Sequence, residues 1–375
     1  MGTASDRRTD ATGKVVPIHD ARKGRGAVSH VAHRFESRQR EPDGDALDAT
    51  RADGDEALPP LATEVRFEHA GKVLAYNDSP DLGFDRSINP YRGCEHGCPY
   101  CYARPTHSYL NLSPGLDFET KLVAKRNAAE VLARELAAPA YRPALVNLGS
   151  ATDAYQPIER ELRITRAIVE VLTRTFHPFA IVTKAALVER DLDLIAPAAQ
   201  QGLTAVFFSL TTLDPALSRK LEPRAASPQR RLRAIRTMAQ AGVPVHVNLA
   251  PLIPFINEPE IEVLLEAAAE AGARFAHYAV VRLPWEVNPV FQEWLQAHFP
   301  ERAQRVLNRV REMRGGKDYD ARFGTRMKGE GLWADLIRQR FEKGVVRAGL
   351  ARDGAPLRTD LFVPPRKERP QLDLF

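Results

Sequence analysis

Cys94-Glu95-His96-Gly97-Cys98-Pro99-Tyr100-Cys101 contains every cysteine of the 375-residue chain, at C-x3-C-x2-C spacing. Three is an odd number and the spacings are too short for a disulfide framework, so the thiols point to one metal centre. Cysteine thiolates hold iron–sulfur clusters, usually four to a cubane. Three thiolates leave one iron without a protein sulfur, and an open coordination position marks a reactive metal site as a closed one marks a structural site. The alternative is zinc in a Cys3His tetrahedron. His96 stands between two of the cysteines and is poorly placed to be the fourth ligand; His107 is better placed. A lone histidine beside a motif is more often an ordinary hydrogen-bonding residue, so a cluster is the expectation.

Around this loop, strand and helix signals alternate, which argues for βαβ units and a parallel sheet. Glu64–Phe67 and Lys72–Tyr76 flank a turn at His69-Ala70-Gly71 and read as a hairpin, and 85–90 reads as a strand entering the cysteine loop. Helix is expected over 118–136, 159–175, 188–201, 228–241 and 258–271, and strand over 144–148, 179–183, 204–211, 243–249 and 274–281. Ser227 and Pro228 are a cap and first-turn pair for the fourth helix. Six βα units result. An eight-unit barrel needs two further strands, and after Pro284 the patterns are helical, over 290–299, 301–314 and 332–342.

Composition narrows the setting. The net charge of +5 permits a polyanionic partner, and 44% hydrophobic content is ordinary for a globular protein. No apolar run approaches a membrane span, and the N-terminus lacks the apolar core of a signal peptide, so a reducing, cytoplasmic location is expected. Residues 1–61 are polar and aperiodic and read as a disordered tail, with Gly24–Phe35 less random than the rest. The barrel is expected over 62–285, a helical basic extension over 286–362 and a flexible tail over 363–375. In the extension, basic residues interleave with Phe323, Trp333 and Phe341, a pattern of single-strand or extruded-base binding that a solvated helical face also produces.

In parallel α/β barrels the working residues lie at the C-terminal ends of strands. Polar residues gather there: 149–157 after the second strand, Thr183-Lys184 after the third, Ser209 and Thr211 on the fourth, His246 and Asn248 on the fifth. With an aromatic residue before the third cysteine, the motif resembles the signature of the radical S-adenosylmethionine (radical SAM) enzymes. The flanks Asn89-Pro-Tyr-Arg-Gly-Cys94 and Cys101-Tyr-Ala-Arg104 are similar to the spore photoproduct lyase-like branch, often labelled DNA repair photolyases. The likeness runs over about residues 64–350.

The resemblance implies an α/β fold with a partial (β/α)6 TIM-type barrel, a [4Fe-4S] cluster and S-adenosylmethionine. Cys94, Cys98 and Cys101 would hold three irons, and the amine and carboxylate of the methionyl group would chelate the fourth. Lys184 would meet that carboxylate, Ser150 or Thr152 the amine, Ser209 and Asn248 the ribose or methionyl part, and backbone near Tyr100 and Ile253 the adenine. Many members show Gly-Gly-Glu after the second strand, where this chain has Gly149-Ser-Ala-Thr-Asp153. The expected chemistry is reductive cleavage to a 5′-deoxyadenosyl radical that abstracts hydrogen, with DNA as substrate and a flavodoxin or ferredoxin as electron donor. The photoproduct lyases use a further cysteine as hydrogen-atom donor; this chain has none left, and Tyr278 is the candidate in its place.

The chain ends in Gln371-Leu372-Asp373-Leu374-Phe375. This resembles the pentapeptide by which bacterial repair proteins bind the sliding clamp, with Leu372, Leu374 and Phe375 entering apolar pockets and Gln371 fixing register. Two rival functions stand beside the DNA enzyme. One keeps the radical chemistry and modifies RNA, a protein or a metabolite; the other is a non-enzymatic, metal-containing nucleic-acid and clamp-binding protein.

Overall fold

Phe179-Ala-Ile-Val-Thr183 is apolar almost throughout and largely buried on both faces, as a parallel strand covered by helices must be. It lies in the middle of the sheet in a computed structural model that describes residues 23–36 and 61–365. The strands are β1 (Glu64–Glu68), β2 (Leu74–Tyr76), β3 (Arg86–Ile88), β4 (Tyr91–Arg92), β5 (Lys121–Lys125), β6 (Val146–Leu148), β7 (Phe179–Thr183), β8 (Thr204–Ser209), β9 (Val245–Leu252) and β10 (Phe275–Val280). Helices α1 (Ala128–Leu136), α2 (Ile164–Arg174), α3 (Leu192–Gln200), α4 (Pro228–Gln240) and α5 (Ile261–Glu270) alternate with them. Beyond β10 come α6 (Val287–His298), α7 (Pro300–Glu312) and α8 (Leu332–Arg347).

The main sheet has the order β10-β9-β8-β7-β6-β3-β2. From β3 to β10 every pairing is parallel, and β2 closes one edge antiparallel to β3. Six parallel strands in sequence order, each followed by helix, make the partial (β/α)6 barrel that the resemblance implies. Helix α2 shows how the outer layer is bound: Ile164, Ile168, Val171 and Leu172 recur at helical spacing and are buried. Helix α8 approaches α5 closely at Gly344, where a Cβ would come within 2.7 Å of Leu265 Cδ1. Helices α6 and α7 share their apolar core with the cysteine loop, Phe291, Trp294 and Val306 packing in one cluster with Cys98, Tyr100 and Ile253.

Three expectations are corrected. The segments 64–68 and 74–76 do not form a hairpin: β1 pairs in parallel with β5, and β2 pairs antiparallel with β3. The helix expected over 118–136 is a short turn (Asp117–Thr120), then β5, then α1. Lys121-Leu-Val-Ala-Lys125 alternates in burial because β1 and β4 offer it two edges, and that pairing outweighs the helix propensity of its leucine and alanine. Finally, residues 23–36 are not a free tail. Arg25, Ala27, Val28 and His33 are buried, and Gly26 lies so close to Gly97 of the cysteine loop that a Cβ would overlap its carbonyl. The clamp-like residues Gln371, Leu372, Leu374 and Phe375 lie outside the described residues.

Candidate active site

The cysteine loop leaves β4 through Gly93, at φ +81°, where a Cβ would meet Leu122, Phe118 and His107 within 3 Å, so only glycine fits. Cys94 N–H donates to Phe118 O at 2.9 Å, and Cys101 N–H to Cys98 O at 3.2 Å. The loop is held from below by side chains. Gln156 accepts from Glu95 N–H at 2.8 Å and donates to Gly93 O at 3.2 Å, and Thr152 Oγ1 donates to Gly93 O at 2.6 Å. Arg104, fully buried, donates to Cys98 O at 2.8 Å and pairs with buried Glu119. Glu119 in turn accepts from Gly26 N–H at 3.0 Å and Ala27 N–H at 2.8 Å, which straps residues 23–36 across the loop.

All three thiols are free and line one cavity of about 250 Å³ at the C-terminal ends of the barrel strands. Tyr100, Ser150, Thr152, Lys184, Ser209 and Asn248 line it too, so strands distant in sequence bring these residues together. Ser150 Oγ accepts from Asn89 Nδ2 at 3.1 Å. Thr152 spends its hydroxyl on Gly93 and receives Gln156 at 2.9 Å, so it acts as a strut for the loop. Below Ser209 and Asn248 the barrel is plugged by Phe207 stacked on His246 at 4.0 Å between centroids, and by His246 bonded to His277 at 3.0 Å. Burial, and then the neighbouring His277, push His246 down to about 3, so it is a neutral packing group.

Other expected residues stand elsewhere. Ile253 does not reach the cavity: its N–H donates to Asn257 Oδ1 at 2.7 Å and its carbonyl accepts from Ile256, Asn257 and Glu258. Ala250 and Pro251, earlier on the same strand end, line it instead. Tyr278 faces outward. Its ring packs on Phe341 of α8 at 4.6 Å, because His277 and Ala279 take the inward positions of β10. It is not placed to serve as the hydrogen-atom donor. His107 is withdrawn as well, packed against Phe118 and bonded to Lys121 O at 3.0 Å, its charge suppressed by burial to about 4.

In and around the cavity stand residues to which the sequence assigned no cofactor role. His96 approaches Asp153 at 3.3 Å, and Asp153 accepts from Lys184 N–H and from Thr183 Oγ1, both at 2.7 Å. Burial drives that carboxyl up, but the His96 charge and these bonds win and hold it at about 2. Tyr100 donates to Glu222, which pairs with Arg231, and Arg231 donates to Ser209 O at 2.9 Å, tying the loop to β8. Tyr102 donates to Ser150 O, and Arg282 lies 4.9 Å over its ring. Arg104 and Tyr102 stand within the quoted motif, but Glu222, Arg231 and Arg282 have no signature in spacing.

A family model described as the radical SAM superfamily matches residues 88–268, a span that carries the cysteine loop and five of the six parallel strand ends. The chain belongs to the radical SAM superfamily. An uncharacterized protein of Mycobacterium tuberculosis is 38% identical over 254 residues, covering 66% of this chain and 74% of that one. Another, from Methanocaldococcus jannaschii, is 25% identical over 225 residues, 60% of this chain and 80% of its own. Among solved structures, spore photoproduct lyase complexed with dinucleoside spore photoproduct aligns with a TM-score of 0.53 at 17% identity, covering 77% of this chain and 80% of the other. A mutant of that lyase with bound AdoMet and the same dinucleoside aligns at 0.51 and 17%, over the same shares. These likenesses show a shared fold.

The residues fit what a radical SAM site has to hold. Among the described residues, no group of three or more His, Cys, Asp or Glu is gathered closely enough for a single metal ion. Burial pushes the Cys94 thiol well up, and pushes Cys98 to about 12 against the pull of Lys184. A bound metal centre is what makes such thiols thiolates. Lys184 is half-buried, makes no salt bridge among the described residues and stands 6.0 Å from the Tyr100 ring centroid. Burial alone would lower its pKa; the Cys98 and Glu222 charges outweigh that and raise it, so the ammonium is kept.

Proposed function

We propose that this radical SAM enzyme holds a [4Fe-4S] cluster on Cys94, Cys98 and Cys101 and acts on DNA in repair or maintenance. The observation that carries the cofactor assignment is an ammonium that makes no salt bridge among the described residues, Lys184, in the cavity that three free thiols share. When bound, the cluster supplies the electron that divides S-adenosylmethionine into methionine and a 5′-deoxyadenosyl radical. The chain's own part is to bind and orient. Lys184 receives the methionyl carboxylate through a charge-assisted hydrogen bond. Ser150 faces the amine, Ser209 and Asn248 the ribose or methionyl part, and backbone at Tyr100 and Ala250–Pro251 the adenine. The Phe207–His246–His277 plug closes the barrel beneath and keeps water from the reacting carbon.

The DNA substrate is supported by the cation Arg282 on the cavity wall, which makes no salt bridge among the described residues, and by the fold shared with a lyase solved with a dinucleoside photoproduct. With all three cysteines assigned to the cluster, the sequence leaves no further cysteine to serve as a hydrogen-atom donor of the photoproduct-lyase kind. A reduced flavodoxin or ferredoxin is the expected electron source. Three unpaired cysteines suit a reducing compartment, which supports a cytoplasmic location. No helix among the described residues is long and apolar enough to cross a membrane. The test is anaerobic reduction with S-adenosylmethionine, following 5′-deoxyadenosine, with ultraviolet-irradiated DNA and with RNA. Wild type forms it and Cys98→Ala does not; equal yields from both would overturn the mechanism, and stimulation by RNA alone would overturn the DNA substrate.

A further inference from the structure

Eight aromatic side chains are exposed among the described residues; one of them, Tyr102, lines the active-site cavity, and Trp285 follows the lining residue Arg282 by three positions. Three gather round one guanidinium. Arg34 Cζ lies 4.6 Å from the Trp285 ring, 4.8 Å from Phe35 and 5.3 Å from Tyr109. These rings remain 64%, 54% and 69% exposed. Trp285 has φ +45°, a left-handed conformation that a bulky side chain rarely adopts, so the local backbone is held against its preference.

The chemistry of this patch is selective. The charge of Arg34 is answered by Glu286, at 2.9 Å to one carboxylate oxygen and 3.2 Å to the other, with the Arg34 N–H donating as well. The cluster therefore offers flat π surface with little net charge. Three residues before Trp285, Arg282 stacks on Tyr102 in the cavity wall and has no salt bridge among the described residues. Exposed rings for stacking and a guanidinium on the cavity wall are what an unpaired strand requires. A duplex buries its base faces in its own stack and has nothing to lay on these rings until a base is extruded.

We propose that the platform of Trp285, Tyr109 and Phe35 around Arg34 stacks unpaired bases of a polynucleotide strand, while Arg282 takes a phosphate at the cavity mouth. This rests on the polynucleotide substrate proposed above and specifies its form as unpaired. The test is fluorescence anisotropy with labelled oligothymidylate, oligouridylate and a duplex of matched length, each over a salt titration, with tryptophan fluorescence recorded in parallel. The single strand binds more tightly than the duplex and quenches the exposed tryptophan. Trp285→Ala and Tyr109→Ala each weaken binding about tenfold without changing the slope of log K against log salt. Trp285→Phe recovers most of the affinity but not the quenching. Arg282→Ala lowers the slope by about 0.7, the share of one phosphate contact on a single strand. Unchanged thermal midpoints show that these surface variants fold. Wild-type affinity in both alanine variants, or equal binding of duplex and single strand, overturns the platform and leaves the DNA substrate standing. Absence of binding to any of the three probes overturns both. Tighter binding of oligouridylate upholds the platform and overturns DNA.

Discussion

Replacing Glu119 by alanine should loosen the cysteine loop and release the N-terminal strap together. Glu119 is buried beside Arg104, itself fully buried, and removing one partner of such a pair costs about 3–5 kcal/mol because the other charge is left uncompensated. Arg104 keeps its bonds to the carbonyls of Cys98 (2.8 Å), Pro114 (2.9 Å) and Gly115 (2.8 Å), which places the expected value in the lower half of that range. Gly26 N–H and Ala27 N–H lose their acceptor as well, at about 1–3 kcal/mol each if they stay buried. Lifting the strap rehydrates them but exposes Ala27 and Val28, so that contribution falls to about 1–2 kcal/mol in all. The sum is about 4–6 kcal/mol, a fall in the thermal midpoint of about 5–8 °C for a chain of this size. Differential scanning calorimetry measures the loss, and trypsin cleavage at Arg25 and Arg34 reports the strap. A midpoint within 2 °C of wild type, with cleavage no faster than wild type, would show that Glu119 does not join the two segments.

Lys184→Met should weaken S-adenosylmethionine binding to the cluster-loaded enzyme by about 10- to 100-fold, read by isothermal titration, whereas Lys184→Arg should retain part of it. The raised pKa of Lys184 means that its contribution is fully present below the ordinary lysine range and is lost only as pH rises through the folded value, so affinity should be flat from neutral pH into the mildly alkaline range. A decline centred near neutrality would contradict the assignment. Tyr278→Phe should leave 5′-deoxyadenosine formation unchanged and stability equal or slightly higher, because its buried hydroxyl has no hydrogen-bond partner among the described residues; a large loss of turnover would return Tyr278 to the active site. A peptide of residues 366–375 should bind a bacterial sliding clamp saturably, and Phe375→Ala should abolish this; no saturable binding would dismiss the terminal pentapeptide as a tether.

Much of the centre of this protein was legible because its chemistry is local. Three cysteines within eight residues, a lysine closing one strand and polar pairs two apart on two others are patterns of spacing, and the cavity brings Cys94, Cys98, Cys101, Lys184, Ser209 and Asn248 together as that spacing implies. The six-strand alternation was legible for the same reason, since βα units repeat within reach of a short window. Tyr278 was misplaced because the alternation along β10 shows only that two faces exist, and the register against β9 decides which one turns inward. Ile253 failed through its own loop, whose internal hydrogen bonds use the backbone groups it would have offered.

By itself, the order of residues determined the three-cysteine loop, the alternation of strand and helix and the absence of a fourth cysteine, each a property of composition or short-range period. Only tertiary structure decided that residues 23–36 close over that loop, that 121–125 is a strand, and that Glu222 and Arg231 anchor Tyr100. In each case the deciding partner is remote along the chain, Glu119 from Gly26 and β1 from β5. A buried carboxylate or an unpaired strand edge acts on whatever folding brings beside it.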